Sequence, residues 1–187
     1  FFQAEDGIRD PEILVGSEMC IRDSICGLLG KNGEGKTTLL NLLSGQIFPD
    51  QGSCLVLEET PSERNARFLQ QIFLLPEEIS MPEVTAIEYI KMYAPFYPTF
   101  RDDICKACVE SFEINLSDRL SKMSQGQRKK VAITLALAAH TPLLLMDEPT
   151  NGLDIPSKAT FRRLVASLIV TIRRLLSPRI RSGIWKA

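Results

Sequence analysis

The stretch Gly30-Lys31-Asn32-Gly33-Glu34-Gly35-Lys36-Thr37-Thr38-Leu39 decides how this chain is read. It has the form G-x-x-x-x-G-K-[ST], in which a loop of small residues turns successive backbone N–H groups inward around phosphate oxygens. Gly30, Gly33 and Gly35 permit tight turns and a close backbone approach that a Cβ would obstruct. The N-terminus of the helix that follows adds the positive end of its dipole. Lys36 is placed to reach the terminal phosphates of a nucleotide, and the Thr37 hydroxyl to coordinate a magnesium ion. Before the loop, Ile25, Cys26, Leu28 and Leu29 read as a buried strand. After it, Leu39, Leu40, Leu42 and Leu43 give a helix its apolar face, and Ser44-Gly45 ends it. A glycine-rich turn matching by chance is the bland alternative; strand before, helix after and partner motifs downstream argue against it.

The first partner is Leu143-Leu144-Leu145-Met146-Asp147-Glu148. A continuous apolar run suits a strand buried on both faces of a parallel sheet. It ends in two carboxylates, at the strand end where such sheets place their ligands. Standing alone, the pair reads as solvated acids. Beside the phosphate loop, Asp147 reads as a holder of the magnesium shell and Glu148 as a base for an attacking water. The second partner is Met123-Ser124-Gln125-Gly126-Gln127, followed by Arg128-Lys129-Lys130. Ser124 is a good N-cap for a helix over Gln125 to about Ala139, with Val131, Ile133, Leu135 and Leu137 among its apolar residues.

Together, from about Ser24 to Ile169, these motifs resemble the nucleotide-binding subunit of the ATP-binding cassette (ABC) transporter family. The resemblance implies an α/β fold: a P-loop NTPase core, mainly a parallel sheet flanked by helices, with a helical subdomain over about 81–139. It implies nucleotide binding by Gly30, Asn32, Gly33, Glu34, Gly35, Lys36, Thr37 and Thr38, and Mg2+ held by Thr37 and Asp147. Glu148 is then the catalytic base of an ATP hydrolase. Ser124, Gln125, Gly126 and Gln127 match the family signature, which serves ATP bound by a second subunit; Gln125 stands where the family has its first glycine. Asp154 closes a segment similar to the D-loop, from Pro149 onward. Glu77 follows a strand over Ile72 to Leu75, at the position where the family usually carries a glutamine that senses phosphate and metal.

The partners implied are a membrane permease and a head-to-tail dimer with itself or a homologous ATPase subunit. The location implied is cytoplasmic, peripheral on the inner face of the plasma membrane. An ABC-family ATPase acting on ribosomes or DNA is a second reading. It usually brings duplicated cassettes, a coiled-coil insertion or basic arms, and none is visible here. A third is that the chain as written is a non-functional fragment. From Met81 to Phe100, Tyr89, Tyr93, Phe96 and Tyr97 read first as packing of the helical subdomain; in the family this surface also receives the coupling helix of the permease.

The 187 residues, 44% hydrophobic, suffice for one sizeable core and agree with a soluble α/β domain. No apolar run approaches the ~18 residues of a membrane span. Five irregularly spaced cysteines suggest a reduced compartment. Cys105 and Cys108 form one C-x-x-C with no second pair, and read as ordinary helix-face residues.

Both ends are anomalous. Residues 1–23, with six acidic and two basic residues, show neither strand alternation nor helical periodicity. Gln3 to Asp10 is the translation of CAAGCAGAAGACGGCATACGAGAT, a sequencing-library adapter, and Glu18 to Ser24 matches read-through of a transposase end. The segment therefore reads as non-native, and the family's first strands and adenine-stacking aromatic are missing. From Pro156 to Ile169 an amphipathic helix is expected, with Phe161, Leu164, Val165, Leu168 and Ile169 on one face. Beyond it, residues 170–187 hold five basic residues and no acidic one. A basic tail for nucleic acid or lipid is one reading. A lost reading frame is preferred, because a one-base shift with suitable synonymous codons yields Ser-Asp-Asp-Gln-Thr-Ile-Ile-Ile-Ser-Thr-His-Gln, a strand leading to the family's His switch. The first 23 residues carry net −4 and the last 18 net +5 against −1 for the whole, which leaves −2 between them. That core has no basic excess, so no nucleic-acid partner is expected.

Overall fold

A computed structural model describes residues 35–176, with side chains through 168, and the backbone of residues 2–3. Its centre is a parallel pair of strands, β3 (Ile72–Leu75) and β4 (Leu143–Met146), in register from Ile72 opposite Leu143 to Leu75 opposite Met146. Side chains alternate across a strand, so each strand feeds two apolar clusters. Phe73, Leu75, Leu144 and Met146 join the larger one, with Val131, Ile133, Leu135, Leu153 and Phe161. Ile72, Leu74, Leu143 and Leu145 join the smaller one, with Cys54, Val56, Phe68, Leu40 and Leu43. The continuous apolar run expected of a strand covered on both faces is thus accounted for residue by residue. Leu75, 2% exposed, gains about 1.5–3 kcal/mol from such burial.

A two-residue strand, β2 (Ser53–Cys54), pairs antiparallel with the backbone of β1 (Phe2–Gln3). The sequence gives no strand signal at residues 1–23; this pairing is made by backbone groups, which need no side-chain pattern. The rest of that segment, with the strand expected over Ile25 to Leu29, lies outside the described residues.

Helix α1 (Lys36–Leu43) is followed by Ser44, whose N–H donates to the Leu40 carbonyl, and by Gly45 at φ 70°. A Cβ on Gly45 would collide with the Pro61 carbonyl, so glycine is required there on both counts. The short α2 (Ala66–Gln71) is capped by Asn65 and buries Phe68. Between β3 and β4 come α3 (Ala86–Tyr93), α4 (Asp102–Ser111) and α5 (Gln125–Ala139). Helix α3 starts in a reciprocal cap between Thr85 and Glu88. Helix α4 packs on α5 and buries Cys108, while Cys105 on the same helix is half-buried. Desolvation pushes the Cys108 thiol up to about 12. Tyr89 is buried and Tyr97 stacks on Phe73 at 5.3 Å, so both serve packing; Tyr93 and Phe96 stay exposed.

Every residue of α5 from Val131 to Ala139 is buried. A helix buried all round has no polar face, which is why its apolar residues keep no single stripe. His140, at φ 49°, ends it, and two of its last carbonyls are satisfied by Thr99 Oγ1 and the Arg101 N–H. Helix α6 (Ile155–Leu176) packs Phe161, Leu164, Val165 and Leu168 on the larger cluster, as its periodicity predicts. It continues past Ile169, where the amphipathic pattern stops. No glycine or proline occurs from Val170 to Leu176, and the first helix breaker is Pro178. No helix among the described residues is long and apolar enough to cross a membrane.

Candidate functional site

Gly35 is the N-cap of α1, at φ 81° and ψ 13°. That left-handed conformation suits glycine, because a Cβ would crowd the following carbonyl. Its carbonyl accepts the Leu39 N–H at 2.8 Å, the first full turn of the helix. Lys36, Thr37 and Thr38 form the first turn, at the positive end of the helix dipole. No acidic residue sits in that turn, so nothing there competes with a bound anion for the dipole. Gly30, Asn32, Gly33 and Glu34 lie outside the described residues.

The acidic strand end meets this turn directly. Thr37 Oγ1 donates to Asp147 Oδ2 at 2.6 Å, joining residues 110 positions apart. Asp147 is itself anchored, because its N–H continues the β3–β4 ladder to the Leu75 carbonyl at 2.9 Å. Its side chain is buried while Glu148 is exposed. Glu148 has φ 42°, an uncommon conformation for a non-glycine residue that costs of order 1–3 kcal/mol and clusters at functional sites. Gly35, Lys36, Thr37, Thr38, Glu77, Asp147, Glu148 and Asn151 line one open cleft of about 540 Å3. That volume lies within the usual range for small-molecule sites.

Glu77 therefore does reach the cleft that the phosphate loop and acidic pair define. Its Oε1 accepts from Asn151 Nδ2 at 2.8 Å. Its backbone is held separately: Lys129 Nζ donates to the Pro76 carbonyl at 3.1 Å and the Glu77 carbonyl at 2.8 Å. Lys129 is 4% exposed. Burial lowers its pKa, while Glu77, Asp147 and Glu148 pull the other way. Neither Lys129 nor Asn151 stood out in the sequence. Lys129 is hidden in a basic run that reads as a solvated first turn, and only the parallel pairing of β3 with β4 brings Asn151 to Glu77.

The signature-like segment starts α5 as expected. Ser124 Oγ accepts the Gln127 N–H at 3.2 Å, and Gln127 Oε1 accepts the Ser124 N–H at 2.8 Å. This is a reciprocal capping box. A Cβ on Gly126 would stand 2.9 Å from the Gly152 carbonyl, so that glycine permits the turn after β4 to lie against α5. The Gln125 side chain also lies near Gly152, whose own Cβ would contact it at 3.9 Å. Asp154 Oδ1 accepts the Ser157 N–H at 2.8 Å and caps α6. Hydrogen bonds from Ser157 hold the Asp154 carboxyl below its usual range. Ser124, Gln125, Gly126, Gln127 and Asp154 do not line the cleft of their own chain.

The donor set suits a hard divalent cation. Thr37 and Asp147 offer a hydroxyl and a carboxylate oxygen in contact at the first turn of α1. Magnesium commonly takes one or two protein oxygens and completes its shell with water and phosphate. Among the described residues no cluster of three His, Cys, Asp or Glu side chains competes for a metal.

The family model for ABC transporters matches residues 17–151. The SkfA peptide export ATP-binding protein SkfE of Bacillus subtilis is 34% identical over 143 residues, which are 73% of this chain and 59% of that protein. The lipoprotein-releasing system ATP-binding protein LolD of Alcanivorax borkumensis is 31% identical over 176 residues, 88% of this chain and 77% of LolD. A solved structure described as an ABC transporter ATP-binding protein from Pyrococcus furiosus superposes with a TM-score of 0.62 at 27% identity, over 75% of this chain and 70% of that one. The chain spans about six-tenths of the length of the first curated relatives it matches. With these similarities, and with the first turn of α1, the acidic end of β4 and the cap of α5 arranged as above, the chain belongs to the ABC transporter family, as an ATP-binding domain of it.

Proposed function

We propose that the intact protein hydrolyses ATP and uses the energy to drive a partner membrane permease. The observation that carries this reading is the Thr37–Asp147 hydrogen bond, which sets the phosphate-binding turn of α1 against the acidic end of β4. In the proposed mechanism the N–H groups of the loop and α1 hold the phosphates, and Lys36 neutralises charge on the terminal pair. Thr37 and Asp147 would hold Mg2+, which when bound offsets phosphate charge as it redistributes during transfer. Glu148, exposed in the cleft at a strained backbone position, accepts a proton from the attacking water. Glu77, fixed by Asn151, orients that water or the metal shell.

Ser124, Gly126 and Gln127 do not line their own cleft, which supports a role toward nucleotide on a second subunit in a head-to-tail dimer. Exposed Met92, Tyr93 and Phe96 offer an apolar patch on α3 and the turn after it, suited to a cytoplasmic element of a permease. In this reading the protein works at the cytoplasmic face of the plasma membrane. The functional domain is taken as residues 24–169, with 1–23 and 170–187 foreign to it. Glu148→Gln is the decisive test, since it keeps size and hydrogen bonding but removes the base. ATP should still bind while turnover falls about 100-fold or more; normal turnover would remove Glu148 from the role.

A further inference from the structure

Lys129, 4% exposed, lies one helical turn past Gly126 on α5 and reaches the segment that follows β3. It donates to two backbone carbonyls, those of Pro76 and Glu77. Proline has no N–H and the strand ladder has already ended at Leu75, so these carbonyls have no strand partner to set their direction. A buried, doubly bonded ammonium is a strong local constraint, because hydrogen bonds to charged groups contribute more than neutral ones. The segment it fixes carries Glu77, whose carboxylate accepts from Asn151, in the turn after β4. That same turn rests its Gly152 carbonyl against Gly126, back at the start of α5. The path from α5 through Lys129 to Glu77, Asn151 and Gly152 thus returns to α5 as a closed ring of contacts, of which Glu77 and Asn151 line the cleft.

We propose that Lys129 is a positioning residue that ties the signature helix to Glu77, so that the two ATP-facing segments of one chain move as a unit. The inference rests on the ATPase reading above and deepens it. Lys129 touches no nucleotide; it acts through Glu77. Its ammonium also lies in the field of Glu77, Asp147 and Glu148, which favours keeping it charged although burial opposes this. Disturbing it should therefore alter the rate of hydrolysis while leaving nucleotide affinity to the loop and Lys36.

The test is a double-mutant cycle in the full-length protein from the uninterrupted gene, with ATP affinity, kcat and thermal unfolding measured on each variant. Lys129→Met, which keeps bulk and removes both the donors and the charge, should lower kcat about 10-fold with ATP affinity changed less than about 3-fold. In a Glu77→Ala background the same substitution should produce no further loss of kcat, because its route of action is already gone. Lys129→Gln keeps an N–H donor without the charge; it should recover part of the rate, and it carries the cycle should the Met variant fail to fold. Multiplying losses in the double variant, parallel loss of affinity and kcat, or a lower unfolding temperature with unchanged kcat would each overturn the proposal. The parent protein separates the two claims. ATP turnover there supports the ATPase reading whatever the Lys129 variants do, and its absence would overturn both.

Discussion

Ser124 can be asked to do one job without the other. Its hydroxyl accepts the Gln127 N–H at 3.2 Å at the exposed start of α5, as half of a capping box. Ser124→Ala removes that acceptor and should cost about 1 kcal/mol, or roughly 2–4 °C in unfolding temperature for a domain of this size. Ser124→Asp keeps an N-cap acceptor and adds a negative charge at the positive end of the helix, so it should be as stable as the parent or slightly more so. The two variants should invert in assembly. If Ser124 faces the γ-phosphate of ATP on a second subunit, an aspartate there sets a carboxylate against it. Two like charges about 4 Å apart at an effective dielectric near 20 repel by ~4 kcal/mol, close to a thousandfold in dimer affinity. Sedimentation velocity with ATP and Mg2+ in a Glu148→Gln background reads the dimer, and urea denaturation reads the cap. An Asp variant that is stable and dimerises like the parent would refute the signature role. An Asp variant that loses more stability than Ala would refute the capping geometry.

Two further outcomes follow from other parts of the molecule. Burial pushes Cys108 from 9.0 and Tyr89 from 10.0 up to about 12 each, so the unfolded chain releases both protons first. Stability should be level to about pH 8 and fall as pH rises from about 9 toward 12, because the native state then binds more protons than the unfolded one; an unchanged urea midpoint between about pH 8 and 10.5 would contradict that burial. Resequencing the source DNA tests the proposed foreign ends. An adapter junction before Ser24 and a shifted frame after Ile169 are expected, and one uninterrupted frame through Trp185 would overturn the frame-shift reading.

What was legible in the sequence was local or strictly periodic. Ser124 as a cap and the span Gln125 to Ala139 follow from side-chain chemistry at a helix start, and the structure has them at those residues. Strands at Ile72–Leu75 and Leu143–Met146 follow from uninterrupted apolar runs. Ser44-Gly45 ends α1 because glycine is the residue for a left-handed turn under the Pro61 carbonyl. Contacts made only by tertiary folding were not legible. Nothing in Arg128-Lys129-Lys130 separates the lysine that is buried on two carbonyls from its neighbours. The packing of α5 against β3 makes that choice. Asn151 and Glu77, 74 positions apart, have no shared pattern to announce their hydrogen bond. Glu77 could be placed near phosphate and metal only by resemblance, and its position in the cleft comes from the way β3 ends beside β4.

The central claim is that the first turn of α1 and the acid pair at the end of β4 form one Mg-ATP site. Calorimetric titration of Mg-ATP into the full-length protein and its Lys36→Ala variant tests this most directly. The parent should bind one nucleotide per chain, and removing a charged donor to phosphate should weaken it about 10- to 100-fold. Equal affinity in the two proteins, or no binding to the parent, would contradict the account.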